Sequence, residues 1–160
     1  MNVNEFVTIY SGGNYAAPIW DDYASYVLVL VTNGDFATDN NWIKGSGWTI
    51  SGGSANASNS TADLYQENVV ESGRYYQVTY TISNYVGGSV RVELPSNAYT
   101  GTERTANGTY TETLLSGGTI LLFDARTSFT GSIDNVSVTD VTASVEGRDC
   151  TINNLARLIS

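Results

Sequence analysis

The chain contains no histidine and a single cysteine, Cys150. Without histidine, the Ser-His and Cys-His pairs of nucleophilic catalysis and the nitrogen ligands of catalytic zinc are excluded. One cysteine cannot form a disulfide within the chain, so we expect a free thiol and a domain held together by its core. Pairs of carboxylates such as Glu93 and Glu103 arise by chance among sixteen acidic residues, so they do not by themselves indicate a glycosidase. We therefore expect no enzymatic activity and no required cofactor.

Positive charge is also scarce. Seven basic residues, of which Lys44 is the only lysine, face sixteen acidic ones, and the net charge is −9. Such a field repels nucleic-acid phosphates and anionic lipids, so we expect neither nucleic acid nor a membrane as partner. The acidity itself is explained either by solubility or by a basic partner. The N-terminus shows neither the basic nor the apolar region of a signal peptide, which predicts synthesis in the cytoplasm without export.

Only two prolines stand against sixteen glycines and eleven tyrosines, a composition typical of a turn-rich β protein of one domain. Alternation is clearest where Tyr76, Val78, Tyr80 and Ile82 form a buried face and Tyr75, Gln77, Thr79, Thr81 and Tyr85 the opposite one. It returns over 89–94 after Gly87-Gly88, which predicts a hairpin. Further strands are predicted over 27–31, 48–50, 54–61, 62–70, 109–115, 119–125 and 131–141, with a hairpin at Ser116-Gly117-Gly118 and a polar loop over 96–108. Strands at this spacing predict an all-β fold, an antiparallel β-sandwich of jelly-roll topology.

The two ends of the chain leave this pattern. Residues 1–26 hold six of the eighteen aromatic residues, where an even spread would give about three. We interpret 1–26 as an N-terminal arm, 27–141 as the sandwich and 142–160 as a C-terminal arm that is either a short helix or an added strand. The aromatic residues of the N-terminal arm would anchor it either on its own domain or on another subunit. The assembly residues of this arm are Phe6, Tyr10, Tyr15, Trp20 and Tyr23.

Two motifs that are far apart in the sequence resemble those of a known family. The opening Asn33-Gly34-Asp35-Phe36, with Trp42 and residues 47–53 behind it, and the closing stretch 131–138 resemble the carbohydrate-binding-module-like jelly rolls of the galactose-binding-like class. The resemblance covers about residues 28–140. Similar modules are appended to glycoside hydrolases and are common in the structural proteins of tailed bacteriophages. The resemblance implies a jelly-roll fold, but it is only weakly specific for any ligand.

The resemblance also implies a structural calcium in some members, held between the opening and closing segments. Asp134 matches the closing aspartate, but Ala37 stands where an acidic residue is usual. Asp35 or Asp39 and backbone carbonyls would have to complete the six to eight oxygens that calcium takes. Asp35 and Asp134 are therefore the candidate metal ligands. The alternative is that Asp134 accepts backbone N–H bonds from the opening turn.

Two functions follow from these observations. The first is a non-enzymatic phage virion protein, a homo-oligomer that decorates or reinforces the capsid or another particle surface, with the major capsid protein or neighbouring copies as partners. The second is a carbohydrate-binding or host-adhesion module for cell-surface glycans, because aromatic rings stack on sugars while amides, carboxylates and arginine bind hydroxyls. Exposed strands carry such residues in any case. The candidate sugar contacts are Tyr75, Gln77, Tyr85, Arg91, Glu93 and Tyr99.

Overall fold

The computed structural model describes residues 30–95 and 100–142. Their regular elements are seven strands: β1 Ile43–Lys44, β2 Trp48–Ser51, β3 Ser54–Ser60, β4 Leu64–Gln66, β5 Tyr75–Glu93, β6 Gly108–Leu115 and β7 Leu121–Asp140. Every pairing between them is antiparallel. The predicted all-β, antiparallel fold class is confirmed. The predicted N-terminal arm, Tyr99, Cys150 and nearly all of the C-terminal arm lie outside the described residues.

Two long bent strands organise the sandwich. β5 and β7 pair from Tyr76 with Asp140 to Glu93 with Leu122, with register shifts between residues 79 and 89 of β5. Around these shifts both strands pass from one sheet to the other. The first sheet has the order β2-β3-β7-β5-β6 and uses residues 75–83 of β5. The second has the order β1-β4-β7-β5 and uses residues 89–93 of β5.

The hairpin predicted at Gly87-Gly88 is wrong, because β5 runs through these glycines without reversing. Gly88 has a φ of +75°, and a Cβ at this position would lie 2.5 Å from the Cα of Phe129. Glycine therefore permits a left-handed bend pressed against β7. β7 bends opposite it, where Thr127 and Ser128 have φ angles of +50° and +62°. Period-two alternation is the same on both sides of such a bend, so the pattern alone could not distinguish it from a turn.

The hairpin predicted at Ser116-Gly117-Gly118 is also wrong. β6 pairs with residues 75–82 of β5, whereas the segment predicted as 119–125 is the beginning of β7 and is continuous with 131–141. The glycine turn carries the chain from one sheet to the other, and Ser116 fastens it there by donating its N–H to Arg74 O (2.8 Å) and accepting from Gly73 N (2.7 Å). β5 already occupies the position beside β6, which is why the two predicted strands do not pair.

Other strand boundaries differ as well. The predicted strand 54–61 is confirmed as β3, but only Leu64–Gln66 of 62–70 is a strand. Asn68 takes a φ of +58°, which ends the extended backbone there. In the strand predicted over 27–31, Leu30 and Val31 have no strand conformation, and residues 27–29 lie outside the described part. The predicted loop 96–108 is partly paired, because Arg104 bridges Val90 on the free side of β5.

The core between the sheets is rich in aromatic side chains. The buried alternation predicted for β5 is confirmed. The ring of fully buried Tyr80 packs in an edge-to-face arrangement on the ring of Phe123 from the opposite sheet, with 5.2 Å between the ring centroids. Trp48 packs near Phe129 at 6.0 Å. Such pairs add about 0.5–1.5 kcal/mol each beyond the area they bury. Since the contact between Tyr80 and Phe123 joins the two sheets, the outward faces of β5 before and after its bend lie on opposite sides of the core.

The opening motif packs directly against the closing strand. Val136 N donates to Gly34 O at 2.8 Å, and the buried Phe36 ring lies 5.0 Å from Trp42. Buried Gln66 fixes the approach to this turn, accepting from Thr32 N (2.9 Å) and donating to Thr32 O (2.8 Å). The two sequence motifs therefore form one structural unit. Among the described residues, no helix is long and apolar enough to cross a membrane.

Candidate functional site

The outward side of the first sheet is a surface of hydroxyl groups. We call it the hydroxyl face; it consists of Gln77, Thr79, Thr81, Thr109, Thr111, Thr113, Ser137 and Thr139. Its threonines pair across the strands, with Oγ1 atoms 2.9 Å apart for Thr79 and Thr111 and 3.0 Å for Thr81 and Thr109. These hydroxyls satisfy one another, as cross-strand threonine pairs usually do. Of the predicted sugar contacts, Tyr75 and Gln77 lie on this side.

The outward side of the second sheet carries most of its charges. We call it the charged face; it consists of Asp63, Tyr65, Arg91, Glu93, Glu103, Leu122, Asp124 and Arg126. Strand register places them in rows: Arg91 opposite Asp124, and Leu122 between Glu93 and Tyr65. The intervening residues, among them Val92 and Phe123, are fully buried on the core side. Period-two geometry therefore turns these polar side chains outward.

Two arginines and three carboxylates of this face form a connected ion-pair network. Arg91 is paired with Glu93, and its Nε lies 3.2 Å from Asp124 Oδ2. Arg126 lies 3.4 Å from the same Asp124 oxygen and 3.5 Å from Glu103 Oε1. The side chains of Arg91, Glu93 and Asp124 are only 22, 19 and 23% exposed. Arg126 and Glu103 are 40 and 49% exposed, so the enclosed part of the network is Arg91, Glu93 and Asp124, which is held in place better than an isolated surface pair.

Parts of this network are incompletely hydrogen-bonded. Arg91 Nε and Glu93 Oε1 are buried, and neither has an aligned hydrogen-bond partner among the described residues, although each is close to an opposite charge. Unsatisfied buried polar atoms are rare in folded proteins and require an explanation. The opposite charges beside Arg91 Nε and Glu93 Oε1 supply that explanation.

Asp63 occupies the edge of the charged face beside Asp124. It directly precedes Leu64, which pairs with Phe123, so its carboxyl lies next to the row of Asp124. Burial, and then the negative charge of Asp124, raise the pKa of Asp63 above its ordinary value. Within the described ranges, no lysine or arginine forms an ion pair with Asp63. Asp63 is thus a half-buried carboxyl group whose charge the described residues leave unbalanced.

The segment 100–104 borders the charged face and is anchored through Glu112 of β6. Glu112 accepts from Thr102 N at 2.7 Å and from the Tyr80 hydroxyl at 3.1 Å, and it lies 3.3 Å from the Arg104 guanidinium. That guanidinium also stacks 4.5 Å from the centroid of the Tyr110 ring. Burial and the Glu112 charge raise the pKa of Tyr80, so its hydroxyl stays protonated and donates to Glu112. This anchor positions neighbouring Glu103 over the ion-pair network.

The predicted sugar contacts do not form one cluster. Arg91 and Glu93 lie on the charged face, on the other side of the core from Tyr75 and Gln77. Tyr85 lies in the bend of β5, where its hydroxyl donates to Gly88 O at 2.8 Å and its ring lies 6.4 Å from that of Phe129. Its contacts stabilise the bend.

Of the eight residues of the charged face, only Arg91 and Glu93 were predicted as sugar contacts from the sequence. Leu122, Asp124 and Arg126 alternate with buried Leu121, Phe123 and Ala125, so the pattern could have indicated an outward face there. Tyr65 belongs to a strand of three residues, too short to alternate visibly, and Asp63 directly precedes that strand. The pairing of β4 and β5 on either side of β7 brings these residues together, and no local pattern contains that information.

The candidate metal ligands make other contacts. Asp134 accepts from Asn135 N at 2.6 Å and from its side-chain amide at 3.2 Å, and Asp35 accepts from Ala37 N at 3.3 Å. The backbone bond between Gly34 and Val136 therefore joins the opening and closing segments, and Asp134 is not part of it. In the described part of the chain, no group of three or more acidic, histidine or cysteine side chains is arranged to hold a metal ion. Calcium also takes backbone carbonyl oxygens, and structural calcium between Asp35 and Asp134 stays a prediction.

No protein-family model matches the sequence, and no curated protein matches it. Three similar solved structures are CBM4, the enzymatically active domain of tailspike protein 4 from bacteriophage CBA120, and the CBM22-1 xylan-binding domain of Xyn10C from Paenibacillus barcinonensis. Their identities are 15, 17 and 14% and their TM-scores 0.46, 0.47 and 0.44. The matches cover 68, 71 and 72% of this chain and 98, 21 and 96% of the other chains.

Proposed function

We propose that this protein is a non-enzymatic carbohydrate-binding module whose binding surface is the charged face. The observation that carries the proposal is the arrangement of Tyr65 beside a fixed network of two arginines and three carboxylates on one face of a sheet. A tyrosine ring presents an apolar surface to the C–H face of a sugar. Carboxylates accept hydrogen bonds from sugar hydroxyls, and guanidinium groups donate them.

The charged face supports this function better than the hydroxyl face does. In each threonine pair of the hydroxyl face, one of the two hydroxyl hydrogens is used in the internal bond, so fewer donors are left for a sugar. The arginines and carboxylates of the charged face keep further hydrogen-bonding capacity after forming their ion pairs. Because those ion pairs already hold the side chains in place, less conformational entropy is lost on binding.

The same geometry supports binding without catalysis. Glu93 and Glu103 are the paired carboxylates that a glycosidase would require on this face. Each is engaged by a guanidinium group, Glu93 by Arg91 and Glu103 by Arg126. Carboxylates held by guanidinium groups present their oxygens as hydrogen-bond acceptors. We therefore propose that both carboxylates act as hydrogen-bond acceptors.

A glycan array followed by titration tests the binding function. Labelled protein should bind at least one class of surface oligosaccharide. Tyr65→Ala and Arg126→Ala should each weaken binding of that oligosaccharide about tenfold, corresponding to about 1.4 kcal/mol. Gln77→Ala, on the hydroxyl face, is the matched control and should leave the affinity unchanged, with circular dichroism confirming that all variants fold. Absence of glycan binding, or weakening by Gln77→Ala alone, would contradict the proposal.

A second candidate function is attachment to a phage particle. The protein would be made in the host cytoplasm and incorporated into the virion. The enrichment of residues 1–26 in aromatic side chains favours it, because a few aromatic anchors dominate many interfaces. We propose that this segment docks on the major capsid protein or on neighbouring copies, so that the module displays its charged face on the particle surface. Multiple copies on one particle would add avidity to weak glycan binding.

Deleting residues 1–26 tests the attachment. The shortened protein should keep the thermal transition of the sandwich and fail to sediment with particles in a reconstitution assay. Replacing Phe6 and Trp20 by alanine in the full chain should also reduce incorporation into particles. Unchanged incorporation after the deletion would contradict attachment through this segment and would leave the glycan-binding proposal unaffected.

A further inference from the structure

The charged face contains more negative than positive side chains. Its four carboxyl groups belong to Asp63, Glu93, Glu103 and Asp124, and its two guanidinium groups to Arg91 and Arg126. Both arginines contact Asp124, and each has a second carboxylate of its own. The positive charges are therefore already neutralised within the face. Asp63 has no cationic partner among the described residues and lies next to Asp124.

This distribution discriminates between classes of sugar. A uronic or sialic acid approaching Arg91 or Arg126 meets guanidinium groups whose charge is already matched by carboxylates, and those carboxylates repel it. The net charge of −9 adds a long-range repulsion in the same direction. Neutral sugars meet neither penalty. A sugar carrying an ammonium group would in addition gain an opposite charge beside Asp63.

We propose, building on the glycan-binding function above, that the charged face prefers oligosaccharides of amino sugars with free amines and excludes acidic ones. Asp63 directly precedes β4 and Tyr65 is the middle residue of that strand; both are partly exposed on either side of buried Leu64, and two positions of extended chain span about 6.6 Å. One hexosamine ring and its amino group can bridge that distance, with the ring on Tyr65 and the ammonium at Asp63. The ammonium would also offset the repulsion between Asp63 and Asp124, which together with the larger effect of burial raises the pKa of Asp63.

Four charged or neutral probes of similar length test this preference by calorimetric titration. They are the tetramer of glucosamine, the tetramer of N-acetylglucosamine, the tetramer of galacturonic acid and tetralysine, at a pH where the amines are charged. The glucosamine tetramer should bind about fivefold more tightly than its N-acetylated form, the size of effect expected of one partly exposed ion pair. This advantage should shrink in high salt. The galacturonate tetramer should be the weakest binder among the sugars.

Two charge-removing variants identify the carboxyl responsible. Asp63→Asn should abolish the difference between the amine and N-acetyl tetramers while keeping binding to the N-acetyl form. Glu71→Gln removes the same charge from a residue that pairs with Arg74 outside the charged face, and it should preserve the difference. Loss of the difference in both variants would overturn the assignment of Asp63.

The outcomes separate this inference from the proposed function. Equal binding of the amine and N-acetyl tetramers, or tightest binding of the galacturonate tetramer, overturns the amine preference while glycan binding stands. Tetralysine binding as tightly as the glucosamine tetramer shows attraction of any polycation and also overturns it. Binding of no sugar in the series or on the array overturns both proposals.

Discussion

Gly34→Ala is the substitution that most sharply tests how the opening motif meets the closing strand. A Cβ on Gly34 would lie 2.1 Å from the carbonyl oxygen of Val136 and 3.2 Å from Val31 Cγ1. Ordinary contacts of a Cβ begin near 3.4 Å. The Val136 carbonyl would therefore have to move by more than about 1 Å in a region where both valines are buried.

The cost of that movement has two parts. The hydrogen bond from Val136 N to Gly34 O, now 2.8 Å long, would be broken or distorted, at about 1 kcal/mol. Overpacking of a filled interior adds about 1–3 kcal/mol. The free energy of unfolding should therefore fall by about 2–4 kcal/mol, which lowers the Tm of a domain of this size by about 10 °C.

Thermal and urea unfolding followed by circular dichroism measure this effect, and Gly87→Ala is its matched control. A Cβ on Gly87 meets no atom within 4 Å, and Gly87 is absent from the glycines with positive φ. Gly87→Ala should change stability by about 0.5 kcal/mol or less. If both variants unfold at the wild-type temperature, the opening motif does not pack on β7 as described.

Three further substitutions have expected outcomes in the same unfolding assay. Glu112→Gln should cost about 2 kcal/mol, because it removes the charge that Arg104 and the Tyr80 hydroxyl share; a wild-type urea midpoint would contradict this. Burial alone would raise the pKa of Asp140, but hydrogen bonds from Thr142 and Arg74 outweigh it and lower that pKa. Asp140 therefore stabilises the fold at pH values above its ordinary pKa, and this stabilisation is lost as the pH falls through the lowered pKa. Asp140→Asn should destabilise the protein at neutral pH and match the stability of wild type in acid. A stability difference that does not depend on pH would refute this. The raised pKa of Asp63 has the opposite effect on stability. The protein loses stability as the pH rises through this raised pKa, whereas below the ordinary pKa the full stability is present. Asp63→Asn should therefore be more stable than wild type at neutral pH and lose that advantage in acid, and a lower Tm at neutral pH would contradict it.

Local alternation predicted the buried side of β5 and the fold class, because side-chain period is a property of each strand alone. Tyr76, Val78, Tyr80 and Ile82 are all buried as expected. The two predicted hairpins failed for a different reason. Glycines permit both turns and bends, and whether Gly88 reverses the chain depends on the close approach of Phe129, which is distant in sequence.

The candidate site was predictable only in part. Arg91 and Glu93 could be identified because they alternate with buried Val90 and Val92 in one strand. Their partner Asp124 comes from another strand, and Asp63 lies next to it only because β4 pairs with the beginning of β7. Grouping Tyr75 and Gln77 with Arg91 assumed that β5 keeps one outward face. The bend turns these residues to opposite sides of the core.

Backbone amide NMR during titration with a bound oligosaccharide tests the central claim most directly. The largest shift changes should fall on residues 63–65, 91–93 and 122–126, the three strand segments that form the charged face. Residues 77–81 and 109–113, on the hydroxyl face, should keep their positions. Changes confined to the hydroxyl face, or none at saturating sugar, would contradict the assignment of the charged face as the binding surface.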